Sequence, residues 1–166
     1  MTGDSLYAAQ DGRAEVDLGN GNAVRLDNST ALDIMNLSRE VTQLGLSQGD
    51  VNVRVRDIPR NGTMEVATPL GAATIWEPGN YRFGLDGDNA RFGVVSGRLS
   101  VALNGEQLDV QEGEVLELQG GDDPSYDYSR LPRASAFDRW SEDRDTRRQR
   151  SDSGRYVHSN VMGYDD

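Results

Sequence analysis

Short runs in which apolar and polar residues alternate recur through the first two thirds of the chain. In one of them, Val51, Val53 and Val55 occupy every second position. Because successive side chains of a strand point to opposite faces of the sheet, this period of two predicts half-buried β-strands. Asn-Gly pairs, which favour tight hairpin turns, punctuate the runs at Asn20–Gly21, Asn61–Gly62 and Asn104–Gly105. At the usual strand length, we predict an all-β domain of about ten to twelve short strands.

Aliphatic and phenylalanine residues are concentrated in the first part of the chain. Residues 1–118 contain 31 Leu, Val, Ile and Phe, which is 26% of that stretch, whereas residues 119–166 contain 4 in 48, which is 8%. A share that low does not build a separate hydrophobic core. The Gly-Gly-Asp-Asp-Pro sequence at residues 120–124 favours a turn. We therefore predict a β domain over residues 1–118 and a polar, aromatic-dotted tail over residues 119–166.

The tail is predicted to hold one short helix near residues 135–150. Ser135 can cap its N-terminus, and Asp138 falls in the first turn, where the helix dipole favours a carboxylate. Phe137 and Trp140 are three residues apart and therefore share one face. With so few aliphatic neighbours, these aromatic residues must cover the open end of the domain or dock on another copy. The predicted partner-binding residues are Phe137, Trp140, Arg144 and Tyr156.

Charge and cysteine content exclude several classes of function. The 166 residues carry 17 basic and 28 acidic side chains, a formal net charge of −11, so we expect no nucleic-acid partner. The absence of cysteine excludes disulfides and cysteine-ligated metal sites. A single histidine, His158, excludes a metal site with several histidine ligands in one chain. No apolar run is long enough to span a bilayer.

The remaining candidates for chemistry are weak. Asp86-Gly87-Asp88-Asn89 resembles the start of a calcium loop, but Gly97 stands where a glutamate ligand is expected, and a hairpin turn explains the same residues. Carboxylates at Glu112, Glu114 and Glu117 are typical of a solvated strand face. Trp76, at the end of an apolar strand, is predicted to lie in the core. We expect no enzyme, no cofactor and no bound metal.

Several segments together resemble a FecR domain in order and spacing. The similarity covers roughly residues 3–118. It rests on Gly3-Asp4-Ser5-Leu6, Ala14-Glu15-Val16, Val24-Arg25-Leu26-Asp27, Gly45-Leu46-Ser47-Gln48-Gly49-Asp50, Glu65-Val66-Ala67-Thr68-Pro69-Leu70-Gly71 and Glu77-Pro78-Gly79. The resemblance implies a FecR-like fold. From the residues alone, both a β-roll and a jelly-roll sandwich remain open.

The tail resembles that of exported proteobacterial FecR-domain proteins, through Phe137-Asp138-Arg139-Trp140 and Gly163-Tyr164-Asp165-Asp166. The resemblance implies a non-enzymatic, extracytoplasmic protein-interaction module that is periplasmic, outer-membrane-associated or secreted. Its partner would be an envelope protein or copies of itself. The alternative is a structural protein that self-assembles into an oligomer or fibre through strand edges and the tail. The family pattern begins with strands upstream of Gly3, and in this subgroup further sequence follows the tail, so we expect this chain to be part of a longer protein.

Overall fold

The computed structural model describes residues 3–154, with side chains described as far as residue 147. These residues form thirteen strands followed by one helix. The strands are β1 Ser5–Ala8, β2 Ala14–Gly19, β3 Asn22–Leu26, β4 Thr30–Leu37, β5 Val41–Val55, β6 Thr63–Ala67, β7 Ala72–Ile75, β8 Gly79–Asp86, β9 Asn89–Ser96, β10 Arg98–Leu103, β11 Glu106–Gln111, β12 Glu114–Gln119 and β13 Ser125–Arg130, and the helix is α1 Ala136–Gly154.

The strands form one curled sheet with two limbs that share β5. The first limb has the order β1-β4-β5-β6-β7-β10-β11, and the second has the order β2-β3-β5-β8-β9-β12-β13. Strand β5 is 15 residues long and pairs with β4 and β6 through its first part, then with β3 and β8 through its second. Pairing is antiparallel between all of these strands except β5 and β6, which are parallel.

The change of limb occurs at Gly49. Strand β4 pairs with β5 up to Gln48, and β8 begins to pair at Gly49 itself. The φ angle of Gly49 is +94°, and a Cβ placed there would lie 2.3 Å from Thr30 Oγ1 and 2.7 Å from Thr30 Cα. Glycine is therefore required at this position for both its backbone conformation and its lack of a side chain.

The core lies between the two limbs and consists of the inward side of the predicted alternation. On β5, Val51, Val53 and Val55 are buried in it, as are Tyr81 and Phe83 of β8. Asn20 and Asn104 have positive φ in the turns that join the antiparallel pairs β2–β3 and β10–β11, as the hairpin prediction requires. Asn61 also has positive φ, but its turn leads from β5 to the parallel strand β6, so the hairpin prediction is wrong at Asn61–Gly62. The all-β prediction and the predicted C-terminal helix are confirmed, since the helix runs over Ala136–Gly154.

Two details differ from the sequence prediction. The strand count is thirteen because a further strand, β13, follows the turn at residues 120–124 and pairs with β12 along its whole length. Its residues are all exposed, which is why composition did not mark it as part of the sheet. The prediction that Trp76 lies in the core is wrong: its side chain is 51% exposed on the outer face of the first limb, where its Nε1–H donates to Ser100 Oγ at 2.8 Å.

Candidate interaction site

The outer face of the second limb carries a line of polar side chains that crosses four strands. Glu15 of β2 pairs with Arg25 of β3, Arg25 with Asn52 of β5, and Asn52 with Arg82 of β8. These four residues are called the polar row. Arg54, two positions after Asn52 on β5, lies on the same face. The row and Arg54 together form a surface with three arginines and one carboxylate.

Helix α1 lies on this surface. Its N-terminus is fixed by a reciprocal cap, in which Asp138 N–H donates to Ser135 Oγ at 3.1 Å and Ser135 N–H donates to Asp138 Oδ2 at 2.8 Å. The spacing of Asp138, Ser141 and Asp145 puts them on one side of the helix, and all three are buried. The helix therefore presents a polar side to the polar row.

The N-terminal half of α1 contacts the centre of the polar row. The amide of Asn52 donates to Asp138 Oδ1 at 2.9 Å and to Ser141 Oγ at 3.2 Å. The guanidinium of Arg82 forms an ion pair with the same Asp138 oxygen at 3.3 Å from its Nε. One carboxylate thus joins two neighbouring strands to the first turn of the helix.

The next turns of α1 contact Arg25 of β3 and Arg54 of β5. Arg25 Nη1 donates to the Ser141 carbonyl oxygen at 2.9 Å and lies 2.5 Å from Asp145 Oδ1. The other oxygen of Asp145 is 2.9 Å from Arg54 Nη1. Asp145 therefore bridges arginines from two strands.

Glu15 completes the arrangement from the sheet side. One of its oxygens accepts from Arg25 Nε, and the other accepts from Arg144 Nε at 2.9 Å and Nη2 at 2.7 Å. Glu15 is 2% exposed and Arg25 is 1% exposed. Burial by itself would raise the pKa of Glu15, but the hydrogen bonds and charges of Arg144 and Arg25 outweigh burial and hold its pKa below the ordinary value.

The aromatic residues of α1 pack at its N-terminal end. Phe137 is 4% exposed and stacks on Trp140, with ring centroids 6.0 Å apart. The Arg13 guanidinium lies 5.7 Å from the Phe137 ring centroid and 5.5 Å from that of Trp140, and Arg144 lies 5.4 Å from the Trp140 centroid. Trp140 therefore lies near two cations, in a geometry suited to cation–π attraction.

Three of the four residues predicted to bind a partner thus lie against their own domain. Phe137, Trp140 and Arg144 all contact the sheet or its flanking residues, while Tyr156 lies outside the described residues. Their binding to a second molecule stays a prediction. The sequence reasoning did not identify Glu15, Arg25, Asn52, Arg54 and Arg82 as the seat of the helix. Alternation places them on an outer face, but it carries no signal of what covers that face.

An open groove of about 320 Å³ lies beside the polar row, beneath the segment that leads into α1. Gly84 and Gly93 contribute to its lining, together with Asp27 and Asp50. Burial raises the pKa of Asp50, and the nearby Asp27 carboxylate adds to this effect, while Arg91, whose Nη2 is 2.7 Å away, opposes it. The groove is thus lined by charges of both signs.

The described part of the chain contains neither a cluster of metal ligands nor a helix suited to the membrane. Within residues 3–147, His, Cys, Asp and Glu side chains form no group of three or more arranged to hold a metal ion. Over the range that the structure describes, no helix has the length and apolar character needed to cross a membrane.

The fold and this site define a class of protein: an all-β domain whose curled sheet carries a C-terminal helix seated on charged residues. A family model described as “FecR protein” matches residues 4–100, which is more than half of the chain. The chain belongs to the FecR family. The resemblance noted in the sequence is thereby confirmed. No curated protein matches the chain.

Solved structures show the same fold. Two crystal structures from Parabacteroides distasonis ATCC 8503, at 2.50 and 1.65 Å resolution, are each described as a “putative anti-sigma factor”. Both align with a TM-score of 0.66, at 12% and 11% sequence identity, and the match covers 76% of this chain. The chain spans 59% of the length of those proteins. At this identity the similarity concerns the fold.

Proposed function

We propose that this chain is a non-enzymatic regulatory domain that acts by binding another protein of the bacterial envelope, in an extracytoplasmic compartment. The observation that carries the proposal is the FecR family match over residues 4–100. Proteins of the same fold that are described as anti-sigma factors support a role in signalling, in which the domain's task is recognition. The surface of the domain offers charged and aromatic contacts suited to that task.

A photo-crosslinking amino acid in the native host tests this proposal. It is placed at Trp76 on the outer face of the first limb, at Arg147 on the exposed side of α1, or at Asn104 in the β10–β11 turn. We expect one envelope protein to be captured from one face only, in the membrane or periplasmic fraction. Recovery of the chain in the cytoplasmic fraction, or equal capture from all three positions, would contradict the proposal.

Self-assembly is the second candidate, and one observation favours it. Strand β13 is an edge strand whose six residues are all exposed, and β12 is its only paired neighbour among the described strands. An exposed edge is able to accept another strand through its backbone. Light scattering over a series of protein concentrations tests the idea: growth of the particle mass with concentration supports assembly, and a constant monomer mass excludes it.

A further inference from the structure

The contact between α1 and the sheet is made mainly by charges. Among the α1 residues whose side chains are described, the buried ones are Phe137, Asp138, Ser141 and Asp145, and Phe137 alone of these is apolar. Docking a helix usually buries an apolar stripe. Here the stripe is replaced by carboxylates that face arginines of the sheet.

Such a contact holds the helix in place but allows it to dissociate from the sheet. The attraction within a buried ion pair is largely offset by the cost of removing both charges from water. Release of α1 would expose Arg25, Asn52 and Arg82, which water can solvate, while the apolar residues of the same strands remain in the core on the opposite face. The hydrophobic core therefore stays excluded from water when the helix dissociates.

The part of the sheet that α1 contacts is rich in arginine, whereas the molecule as a whole is acidic. The charged sheet residues that contact α1 directly are Arg25, Arg54, Arg82 and Glu15, in a chain whose formal net charge is −11. The carboxylates of Asp27 and Asp50 lie beside this contact, in the groove. A concentration of positive charge on an acidic protein marks a surface suited to an anionic segment. Helix α1 has equal numbers of arginines and carboxylates, but the side that it turns toward the sheet is acidic through Asp138 and Asp145.

We infer that the polar row together with Arg54 is a docking surface for a helical segment of a protein partner that has an acidic face, and that α1 occupies this surface until the partner displaces it. The fitting segment carries carboxylates seven residues apart with a small hydroxyl residue three positions after the first, which is the spacing of Asp138, Ser141 and Asp145. This inference rests on the proposed function and names the surface that it would use. Its basis is the charge complementarity seen in the contact that α1 already makes.

A peptide in trans tests the surface directly. The probe is a fluorescein-labelled peptide of residues 135–154, and fluorescence anisotropy measures its binding to the full chain. One host is the wild type, and the second carries Phe137→Ala and Asp145→Ala, which weaken the seating of α1 but leave the polar row unchanged. The apparent affinity for the peptide is proportional to the fraction of molecules whose surface is vacant. That fraction is larger in the second host, so we expect it to bind the peptide at least about tenfold more tightly than the wild type does.

Two controls separate recognition by the arginines from loss of the fold. Arg54→Glu and Arg82→Glu, added to the second host, should reverse the gain, and a peptide with Asp138→Asn and Asp145→Asn should not bind. Circular dichroism must show the same strand content in every host. Equal binding to both hosts, or no binding to a folded second host, would overturn the inference.

Light scattering on the wild type, whose α1 keeps Phe137 and Asp145, separates a partner from a second copy. A monomer that binds the peptide supports the partner surface, whereas a dimer in which α1 of each copy occupies the other would contradict it. The crosslinking experiment reports independently on the proposed function. An envelope protein captured at Trp76, with no peptide binding at the polar row, would overturn this inference alone.

Discussion

Glu15 is the residue on which the charged contact between helix and sheet depends most. Its two oxygens are shared between Arg25 and Arg144, so one carboxylate links β2, β3 and α1. A buried arginine that loses its carboxylate is costly, because a guanidinium cannot discard its charge by deprotonation. Removal of the Glu15 carboxylate would therefore destabilise the buried guanidinium of Arg25 beside it.

The lowered pKa of Glu15 predicts an acid-dependent stability. A carboxyl group whose pKa is lower in the folded state stabilises the fold above its unfolded pKa, near 4.5, and this contribution is lost as the pH falls through the lower folded value. We expect the free energy of unfolding in urea to decrease below about pH 4.5, and to decrease less steeply in Glu15→Gln. The exposed Glu106→Gln is the matched control and should keep the wild-type slope.

Tyr81 joins two turns through its hydroxyl. The hydroxyl donates to the Glu77 carbonyl oxygen at 2.5 Å and accepts the Arg98 N–H at 3.0 Å, and burial raises its pKa. Tyr81→Phe removes the acceptor of this half-buried Arg98 N–H, so we expect a loss of about 1 kcal/mol in urea unfolding. The half-exposed Tyr126→Phe serves as control. A loss of equal size in both variants would contradict this role of the hydroxyl.

At the scale of the secondary-structure elements, α1 is anchored at its N-terminus by one aromatic side chain. Phe137→Ala should release the helix without unfolding the sheet, because the core lies on the other side of the polar row. We expect amide exchange in α1 to accelerate about tenfold or more, which corresponds to about 1.4 kcal/mol or more of lost docking free energy. Amides of β5 should be unaffected.

Arg147→Ala is the control for this experiment. Arg147 pairs with Asp143 four residues earlier, on the exposed side of the helix, with a separation of 2.9 Å. Pairs of this kind contribute about 0.3–0.5 kcal/mol, so exchange in α1 should change little. If both substitutions accelerate exchange equally, Phe137 is not the anchor.

The strands show which part of this architecture the sequence could predict. The alternation in β5, with Val51 and Val53 inward, predicted the strand and its buried face correctly. It could not predict that β5 pairs in parallel with β6, because the period of two contains no information about neighbours. The polar row was beyond prediction for a related reason: Arg25 lies 116 residues before Ser141, its partner in α1.

At the scale of the whole molecule, the two limbs depend on Gly49, where β5 passes from one limb to the other. Gly49→Ala would place a methyl group against Thr30 and would also strain a positive φ, so we expect a loss of at least about 2 kcal/mol in the free energy of unfolding. Gly105→Ala isolates the second effect, since Gly105 has φ +83° and open space around it. Its cost should be about 1–2 kcal/mol. Equal losses at both positions would show that the contact with Thr30 does not limit stability.

The place of β5 in both limbs also affects folding during synthesis. When β5 leaves the ribosome, two of its four neighbours, β3 and β4, have preceded it, and the other two, β6 and β8, are still to be synthesised. Pairings between distant segments close late, and folds dominated by them form in milliseconds to seconds. Until β6 and β8 have emerged, the backbone of β5 is paired along only one of its two edges. The nascent protein is therefore at greater risk of aggregation and proteolysis during synthesis than the finished domain is afterwards.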